Sequence, residues 1–175
     1  PAFQRLKEEG KIDSWGIGLG EEEALISAIN HEKQPEAMQC AVNVMNSIGA
    51  IGYINKKPNP NRILKECQEK EIPILAIRAV QAGALTSKMD REPHPSGRDK
   101  LDFDDYEKAE AFRKLAKEWG ESPASLAHRY ALSIQKVSSV ILGVKNTKEL
   151  QECIEAESKD NLNEVQLKEL ESLFA

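Results

Sequence analysis

The sequence lacks three features that would each indicate a particular class of protein. It has no run of about 18 apolar residues, so no transmembrane helix is predicted. No basic segment followed by an apolar one opens the chain, so no secretory leader is predicted. The 24 lysines and arginines are scattered and the net charge is -5, which argues against a nucleic-acid surface. These absences predict a cytoplasmic protein that binds neither membranes nor nucleic acids.

Cysteine and histidine are too few and too widely spaced to form a recognisable metal site. Cys40, Cys67 and Cys153 are odd in number and far apart, which predicts reduced thiols and not a disulfide framework or a C-x-x-C site. The three histidines contain no pair at a ligand spacing such as H-x-x-x-H. We therefore expect neither a metal ion nor a disulfide.

What is present is a chain of 175 residues, long enough for one domain with a substantial core. Four apolar segments predict strands, at residues 12–19, 37–43, 72–79 and 138–143. The third segment is almost continuously apolar, which is typical of a parallel strand covered by helices on its faces.

Helices are predicted between and around these strands from the spacing of apolar residues and from start and stop signals. Their expected ranges are 2–9, a helix that opens at 21–23, 58–69, 104–119, 123–134, 147–157 and 164–174, with a loop at about 86–102. Strands that alternate with helices predict β-α-β units and a parallel sheet. Two architectures accommodate four such strands: a small doubly wound sheet, or half of an eight-stranded (β/α) barrel, whose full form needs at least about 200 residues.

A glycine-rich turn at residues 16–20 (GIGLG) lies where the first strand leads into a helix. It nearly matches the dinucleotide fingerprint G-x-G-x-x-G, but Glu21 occupies the last glycine position. Two further acids follow at the helix start, where their charge would repel a pyrophosphate. We therefore interpret this segment as a tight turn and not as a phosphate loop.

A second loop, residues 143–147 (GVKNT), follows the fourth strand and enters a helix. Gly143 allows close approach of a ligand, and the Lys145 ammonium with free N–H groups could hold a phosphate. The alternative is an ordinary capped helix, in which Asn146 is the N-cap and Glu149 completes a motif similar to a capping box. Both interpretations remain open from the sequence.

Other polar residues in or beside the strands also have two interpretations. Arg78 interrupts the buried third strand, and its charge requires either an anionic ligand or a structural ion pair. Gln39 and Asn43 would share one face of an extended strand, where amides orient a ligand or bridge strands. Asp102, Asp104 and Asp105 form an acidic cluster before a helix, which predicts N-capping and not acid-base chemistry.

Five segments together resemble the C-terminal half of the aldo-keto reductase family. The resemblance covers nearly the whole chain, and its motifs occur in the family's order. In sequence order the segments are 10–18 (GKIDSWGIG), similar to the fifth strand; 38–43 (MQCAVN), similar to "VQxxYN"; 74–85 (ILAIRAVQAGAL), similar to the seventh strand and its glycine turn; 122–132 (SPASLAHRYAL); and 140–153 (VILGVKNTKELQEC).

This resemblance implies strands five to eight of a TIM-type (β/α) barrel. It also implies NAD(P)H-dependent reduction of a small aldehyde or ketone, with NADP or NAD as the cofactor. Gln39 would hold the nicotinamide carboxamide, the turn 78–83 would meet the pyrophosphate, and Glu152 would bind the adenine amine. The implied cofactor-binding residues are Gln39, Arg78, Val80, Gly83, Gly143, Val144, Lys145, Asn146 and Glu152.

The chain departs from the family pattern at several of these positions. Gly18 and Leu19 replace a Ser-Asn pair, and Ile77 replaces the aromatic residue that stacks under nicotinamide. Cys153 replaces the last Asn of an "EN" pair, and Glu149 replaces an Arg often found near the 2′-phosphate. The family's catalytic Asp, Tyr, Lys and His belong to its N-terminal half, so no catalytic residue is expected in this chain.

Two hypotheses on function follow. The first is the coenzyme-binding half of a carbonyl-reducing oxidoreductase; the alternative is a non-catalytic nucleotide-binding or interaction module on the same scaffold. Four parallel strands would leave two open edges and one bare face, so the chain is expected to need an N-terminal half or to self-associate. Alone, it is expected to be unable to reduce carbonyls.

Overall fold

The computed structural model describes residues 2–18, 20–51 and 58–175. Its four strands are β1 (Gly16–Ile17), β2 (Ala37–Ala41), β3 (Ile74–Ile77) and β4 (Val137–Val140). A 3₁₀ turn at Gln81–Gly83 follows β3. The helices are α1 (Ala2–Glu8), α2 (Glu22–Ile29), α3 (Pro60–Glu69), α4 (Lys100–Lys108), α5 (Glu110–Glu118), α6 (Pro123–Ser133), α7 (Thr147–Glu157) and α8 (Glu164–Ser172).

The strands form one parallel sheet in the order β1-β2-β3-β4, as the sequence predicts. In its register Gln39 lies beside Leu75, and Leu75 lies beside Ser139. The strands are shorter than predicted, although some flanking residues still bond to the next strand, as Val42 N–H does to the Ile77 carbonyl and Ile141 N–H to the Ala76 carbonyl. The end of the first predicted strand, Leu19, lies outside the described residues, so its predicted alignment has no structural outcome.

The prediction of one continuous helix over residues 104–119 is wrong, because the helical region starts earlier and consists of two helices. Helix α4 begins at Lys100, and the chain bends at Ala109 before α5. The bend lets α4 turn Asp102 and Asp105 inward while α5 buries Phe112. The predicted capping role of Asp102, Asp104 and Asp105 is also wrong, since all three lie within α4.

The hydrophobic core lies on one face of the sheet and between the helices that cover it. Met38, Cys40, Ile74 and Ala76 point to that face and join a cluster with residues of α2, α3 and α6. A second cluster, centred on Phe112, lies between α5, α6 and α8. Burial of large aliphatic and aromatic side chains at about 25 cal/mol per Å² supplies the main driving force for this arrangement.

The opposite face of the sheet is more open. Gln39 and Leu75 are only half-buried there, and Ser139 of β4 is exposed. Beyond β4, Ile141, Leu142 and Val144 expose 44%, 41% and 41% of their surface. The sheet therefore separates a packed helical side from a side that carries accessible apolar residues.

Candidate functional site

A cleft of about 510 Å³ lies beyond the carboxyl ends of β3 and β4. The turn and loop after β3 form one wall, and the loop after β4 with the start of α7 forms the other. Helix α6 contributes Ala124 and His128. Eight of the nine residues predicted from sequence line this cleft: Arg78, Val80, Gly83, Gly143, Val144, Lys145, Asn146 and Glu152.

Gln39 is the predicted residue that lies outside this cleft. It lines a shallow depression of about 390 Å³ on the open face of the sheet, together with Trp15, Gly18 and Leu75. Its side-chain oxygen lies close to Gly18, where an added Cβ would be 3.1 Å from Oε1. Gln39 therefore lies on the sheet itself, in a different depression from the cleft that Arg78 lines.

The acids that follow the glycine-rich turn of residues 16–20 bind other groups of the protein, so this segment is not arranged to bind a phosphate. Glu22 and Glu23 at the start of α2 both form ion pairs with Arg62 of α3. The Glu22 carboxylate also accepts a hydrogen bond from the backbone N–H of Asn59, and this bond, with that from Arg62, lowers the pKa of Glu22. The acids therefore join two helices, in agreement with a structural turn.

The turn after β3 has an unusual backbone. Arg78, Gln81 and Ala82 have φ values of 56°, 45° and 51°, although none is glycine. Non-glycine residues in this region cost free energy and persist only where their surroundings hold them. The side chains of Arg78 and Gln81 provide such restraints, because both are bound to neighbouring elements.

Arg78 forms the structural ion pair that the sequence left as one of two possibilities. Its Nη2 donates to Asp102 Oδ1 at 2.6 Å and its Nε donates to Gln81 Oε1 at 2.9 Å. Only 18% of the Arg78 side chain and 8% of the Asp102 side chain are exposed. Arg91 donates to the second Asp102 oxygen at 3.1 Å and to the Ala82 carbonyl at 2.6 Å. The carboxylate therefore anchors both cations beside the cleft.

A second part of this network connects the turn to the segment after β2. The Gln81 amide donates to Ser47 Oγ and to Asp105 Oδ2, both at 2.8 Å. Asn43 lies beyond the end of β2 and donates to the Ser47 carbonyl at 2.8 Å and to the Arg78 carbonyl at 3.3 Å. Of the two roles predicted for Asn43, the structure shows the bridging one.

Gly49 allows the Asp102 carboxylate to approach this segment closely. Its φ is +55°, and a Cβ there would lie 2.1 Å from Asp102 Oδ1. The adjacent N–H of Ala50 donates to the same oxygen at 3.0 Å. The loop after β2, the turn after β3 and α4 are therefore joined around one buried carboxylate.

The loop after β4 shows the capped helix that the sequence proposed as an alternative to an anion site. Asn146 Oδ1 accepts from the Glu149 N–H at 3.0 Å, and Glu149 accepts from Asn146 Nδ2 at 2.8 Å. Glu149 also accepts from the backbone N–H of Lys145 at 2.8 Å. A carboxylate thus accepts a hydrogen bond from a backbone N–H of the loop that, in the other interpretation, could hold a phosphate.

Lys145 spans the cleft and forms an ion pair with Asp90 of the loop after β3. The hydrogen bond from Lys145 holds the pKa of Asp90 below its usual value. The Lys145 side chain is 61% exposed, so water screens the pair and its strength is modest. Lys88 and Lys148 add further positive charge to the lining.

His128 and Cys153 meet at the α6–α7 side of the cleft. His128 Nε2 lies 3.3 Å from Cys153 Sγ, and both residues line the cleft while being less than one-tenth exposed. Burial lowers the pKa of His128 and raises that of Cys153, so both groups are neutral at pH 7. Among the described residues, His128 Nδ1 is the one buried side-chain nitrogen or oxygen that has no hydrogen-bond partner.

Sequence reasoning missed His128, Asp90 and Arg91 as members of the site. His128 and Ala124 are four apart on α6 and so share a helical face, but a lone histidine carries no signal of its surroundings. Asp90 and Arg91 belong to the loop predicted at 86–102, whose contacts depend on the tertiary fold. Cys40, Cys67 and Cys153 are buried free thiols, as predicted.

Two further features are absent from the described residues. No group of three His, Cys, Asp or Glu side chains is arranged for a metal ion in the part of the chain that is described. Over the same residues, no helix is long and apolar enough to cross a membrane.

Comparison with known proteins gives the fold a context. The chain resembles an aldo-keto reductase, AKR11C1 from Bacillus halodurans, with a TM-score of 0.72 and 17% identity for the holo form. The match covers 99% of this chain and 55% of that one. The glycerol dehydrogenase AKR11B4 from Gluconobacter oxydans gives a TM-score of 0.72 at 20% identity, covering 99% of this chain and 52% of that one.

This chain spans about half the length of the solved structures that it matches. No match was found among curated proteins. The family model for the aldo/keto reductase family matches residues 1–175. The chain therefore belongs to the aldo/keto reductase family.

Proposed function

We propose that this chain is the coenzyme-binding half of an NAD(P)H-dependent oxidoreductase that reduces a small aldehyde or ketone. The observation that carries the proposal is the gathering of eight predicted residues in one cleft beyond the ends of β3 and β4. Ligands of β/α barrels bind at that end of the strands, and phosphate groups often bind after the last two. The four strands would be strands five to eight of the barrel.

The residues of the cleft fit an extended dinucleotide. The turn 78–83 and the loop 143–146 face a common space with several cations, as a pyrophosphate requires. The exposed apolar side chains of Ile141 and Val144 provide surface for rings. His128 Nδ1 is a buried polar atom that lacks a partner in the described protein. Gln39, on the open face of the sheet, would hold the carboxamide at the far end.

The chemistry is divided between this chain and the remainder of the barrel. When bound in this cleft, the reduced coenzyme would serve as the source of a hydride for the carbonyl carbon, and a proton would have to reach the carbonyl oxygen. The residues of this cleft bind and orient; the acid that donates the proton would come from outside this chain. Coenzyme binding by the full protein without carbonyl reduction would favour the alternative, a non-catalytic binding module.

We further propose that NAD is preferred to NADP. The Glu149 carboxylate accepts a hydrogen bond from the backbone N–H of Lys145, and Asp90 forms an ion pair with the Lys145 ammonium. A 2′-phosphate near this loop would meet two carboxylates, whereas a ribose hydroxyl can donate to one. In dinucleotide sites of another fold an acidic residue makes that contact with the 2′-hydroxyl.

The remaining half of the barrel is the proposed partner of the open sheet face. The solved relatives are nearly twice as long as this chain, and accessible apolar residues lie on the face that a barrel would enclose. The open edges at β1 and β4 present unpaired backbone groups that favour association. Without that half, the chain would pair with further copies of itself.

The contact of Lys145 with a phosphate can be tested directly in the full protein. Lys145→Ala is expected to weaken NADH binding by up to about 1 kcal/mol, because it removes a charge-assisted contact that water and the Asp90 carboxylate partly screen. Calorimetric titration measures the change. Lys168→Ala, an exposed position on α8, is the control and should leave affinity unaltered. Equal affinity in wild type and Lys145→Ala would refute the contact.

A further inference from the structure

We infer that the segment after β2, residues 43–51, is an autoinhibitory cover that must leave the open face of the sheet before a coenzyme can extend from the cleft to Gln39. The inference rests on the proposed function and concerns the region between the cleft and the depression that Gln39 lines. In the parallel register Ala41 lies beside Ile77, and Arg78 of the cleft wall follows Ile77 directly. The shortest path from Arg78 to Gln39 therefore crosses these two residues.

Apolar side chains of the segment cover this crossing. Side chains two apart in a strand point to the same face, so Ala41 shares the open face with Gln39. Ala41 and Ile48 are only 1% and 3% exposed and form one cluster. Ile51 and Ile77 pack against that cluster. A planar ring laid across this part of the sheet would need the space that Ile48 fills, so the closed segment and an extended coenzyme exclude each other.

The cleft itself stays open while this cover is in place. Ile141, one residue beyond β4, is exposed and lines the cleft. Gly143 and Lys145 of the loop after β4 line it as well. A ligand that ends at the ribose beyond the pyrophosphate can therefore bind without displacing the segment. A ligand that carries a nicotinamide toward Gln39 cannot.

The hydroxyl of Ser47 holds the segment in its closed position. Its Oγ donates to Asp105 Oδ2 at 2.6 Å and accepts from the N–H of Gly49 at 3.0 Å and from the Gln81 amide at 2.8 Å. One side chain thus joins the segment to α4 and to the turn after β3. Ser47 is only half-buried, so water can replace these contacts when the segment leaves. The closed form therefore depends on polar bonds that a single substitution weakens.

Ser47→Ala in the full protein distinguishes a cover from a purely structural loop. Weakening the closed form raises the fraction of protein that can accept the whole coenzyme, and apparent affinity rises with that fraction. We expect NADH to bind about five- to tenfold more tightly to Ser47→Ala than to the wild type. ADP-ribose, which lacks the nicotinamide, should bind both proteins equally. Damage to the site would instead weaken both ligands, and calorimetric titration measures the two affinities.

Ser125→Ala is the matched control for this substitution. Ser125 lies on α6, is buried, and its hydroxyl also bonds a carboxylate, that of Glu121, at 3.2 Å. It lies outside the lining of the cleft, so the ratio of NADH affinity to ADP-ribose affinity should stay that of the wild type. An unchanged ratio in folded Ser47→Ala, or an equal change in both variants, would overturn the inference.

Hydrogen–deuterium exchange of the wild type covers the case in which Ser47→Ala does not fold. The N–H groups of Gly49 and Ala50 are bonded to Ser47 and Asp102 in the closed form. NADH should therefore speed exchange at residues 43–51, and ADP-ribose should leave it unchanged. Unchanged or slower exchange there with NADH bound would overturn this inference alone. If neither ligand binds the wild type, the proposed function fails and this inference fails with it.

Discussion

Replacing Asp102 with alanine is expected to lower the free energy of unfolding by about 3–5 kcal/mol, the usual cost of removing one partner from a buried ion pair. Asp102 is 6% exposed and accepts from Arg78, Arg91 and the N–H of Ala50. Its loss would leave the largely buried guanidinium of Arg78 without a counter-ion. Urea denaturation followed by circular dichroism measures the change in stability.

Asp104→Ala on the same helix provides the matched control. Asp104 pairs with Lys100, whose side chain is 72% exposed, so the substitution should change stability by less than about 1 kcal/mol. Similar losses in the two variants would show that the buried network does not stabilise the turn after β3. If Asp102→Ala lowers the free energy of unfolding but leaves its slope against urea concentration unchanged, the substitution acts on the native state.

Glu149→Arg is expected to shift the coenzyme preference of the full protein toward NADPH. The wild type should bind NADH at least about tenfold more tightly than NADPH, and Glu149→Arg should bind NADPH about 10–100-fold more tightly than the wild type does. The reason is that a carboxylate beside the 2′-phosphate is replaced by a guanidinium, which forms charge-assisted hydrogen bonds with phosphate. Fluorescence titration with both coenzymes measures the ratio.

The control for this charge change is Glu155→Arg, also on α7. Glu155 interacts with Gln151 and does not line the cleft, so the same change of charge should leave the NADH-to-NADPH ratio near that of the wild type. A wild-type protein that binds NADPH more tightly than NADH would contradict the proposed role of Glu149. Equal shifts in both variants would indicate a general effect of charge.

The fold could be predicted largely from the sequence because the apolar segments have distinct lengths and periods. The continuous run at residues 72–79 indicated a strand covered by helices on its faces; β3 is an inner strand of the sheet, but only one of its faces is fully buried, and Leu75 and Ile77 are half-buried on the other. The break at Ala109 could not be predicted, because alanine favours helix, whereas the break coincides with tertiary contacts, among them those of Phe112 in the cluster between α5, α6 and α8. Local propensity contains no information on that contact.

The candidate site was predictable where loops follow strands and less so where helices meet. Carboxyl ends of neighbouring parallel strands lie together, so residues after β3 and β4 were expected to converge, and they do. The His128–Cys153 pair joins residues 25 positions apart on two helices, a proximity set only by how α6 packs on α7. The buried ion pairs of Asp102 were not predicted for the same reason, because they too depend on tertiary packing. In the sequence, a carboxylate in a polar segment before a helix resembles a helix cap.

The most direct test of the central claim, that the cleft binds a nicotinamide coenzyme, is hydrogen–deuterium exchange of the full protein with and without NADH. We expect slower exchange in two segments, residues 78–91 and 141–153, with little change in α8. Absence of NADH-dependent protection, or protection centred on residues distant from the turn after β3 and the loop after β4, would contradict it.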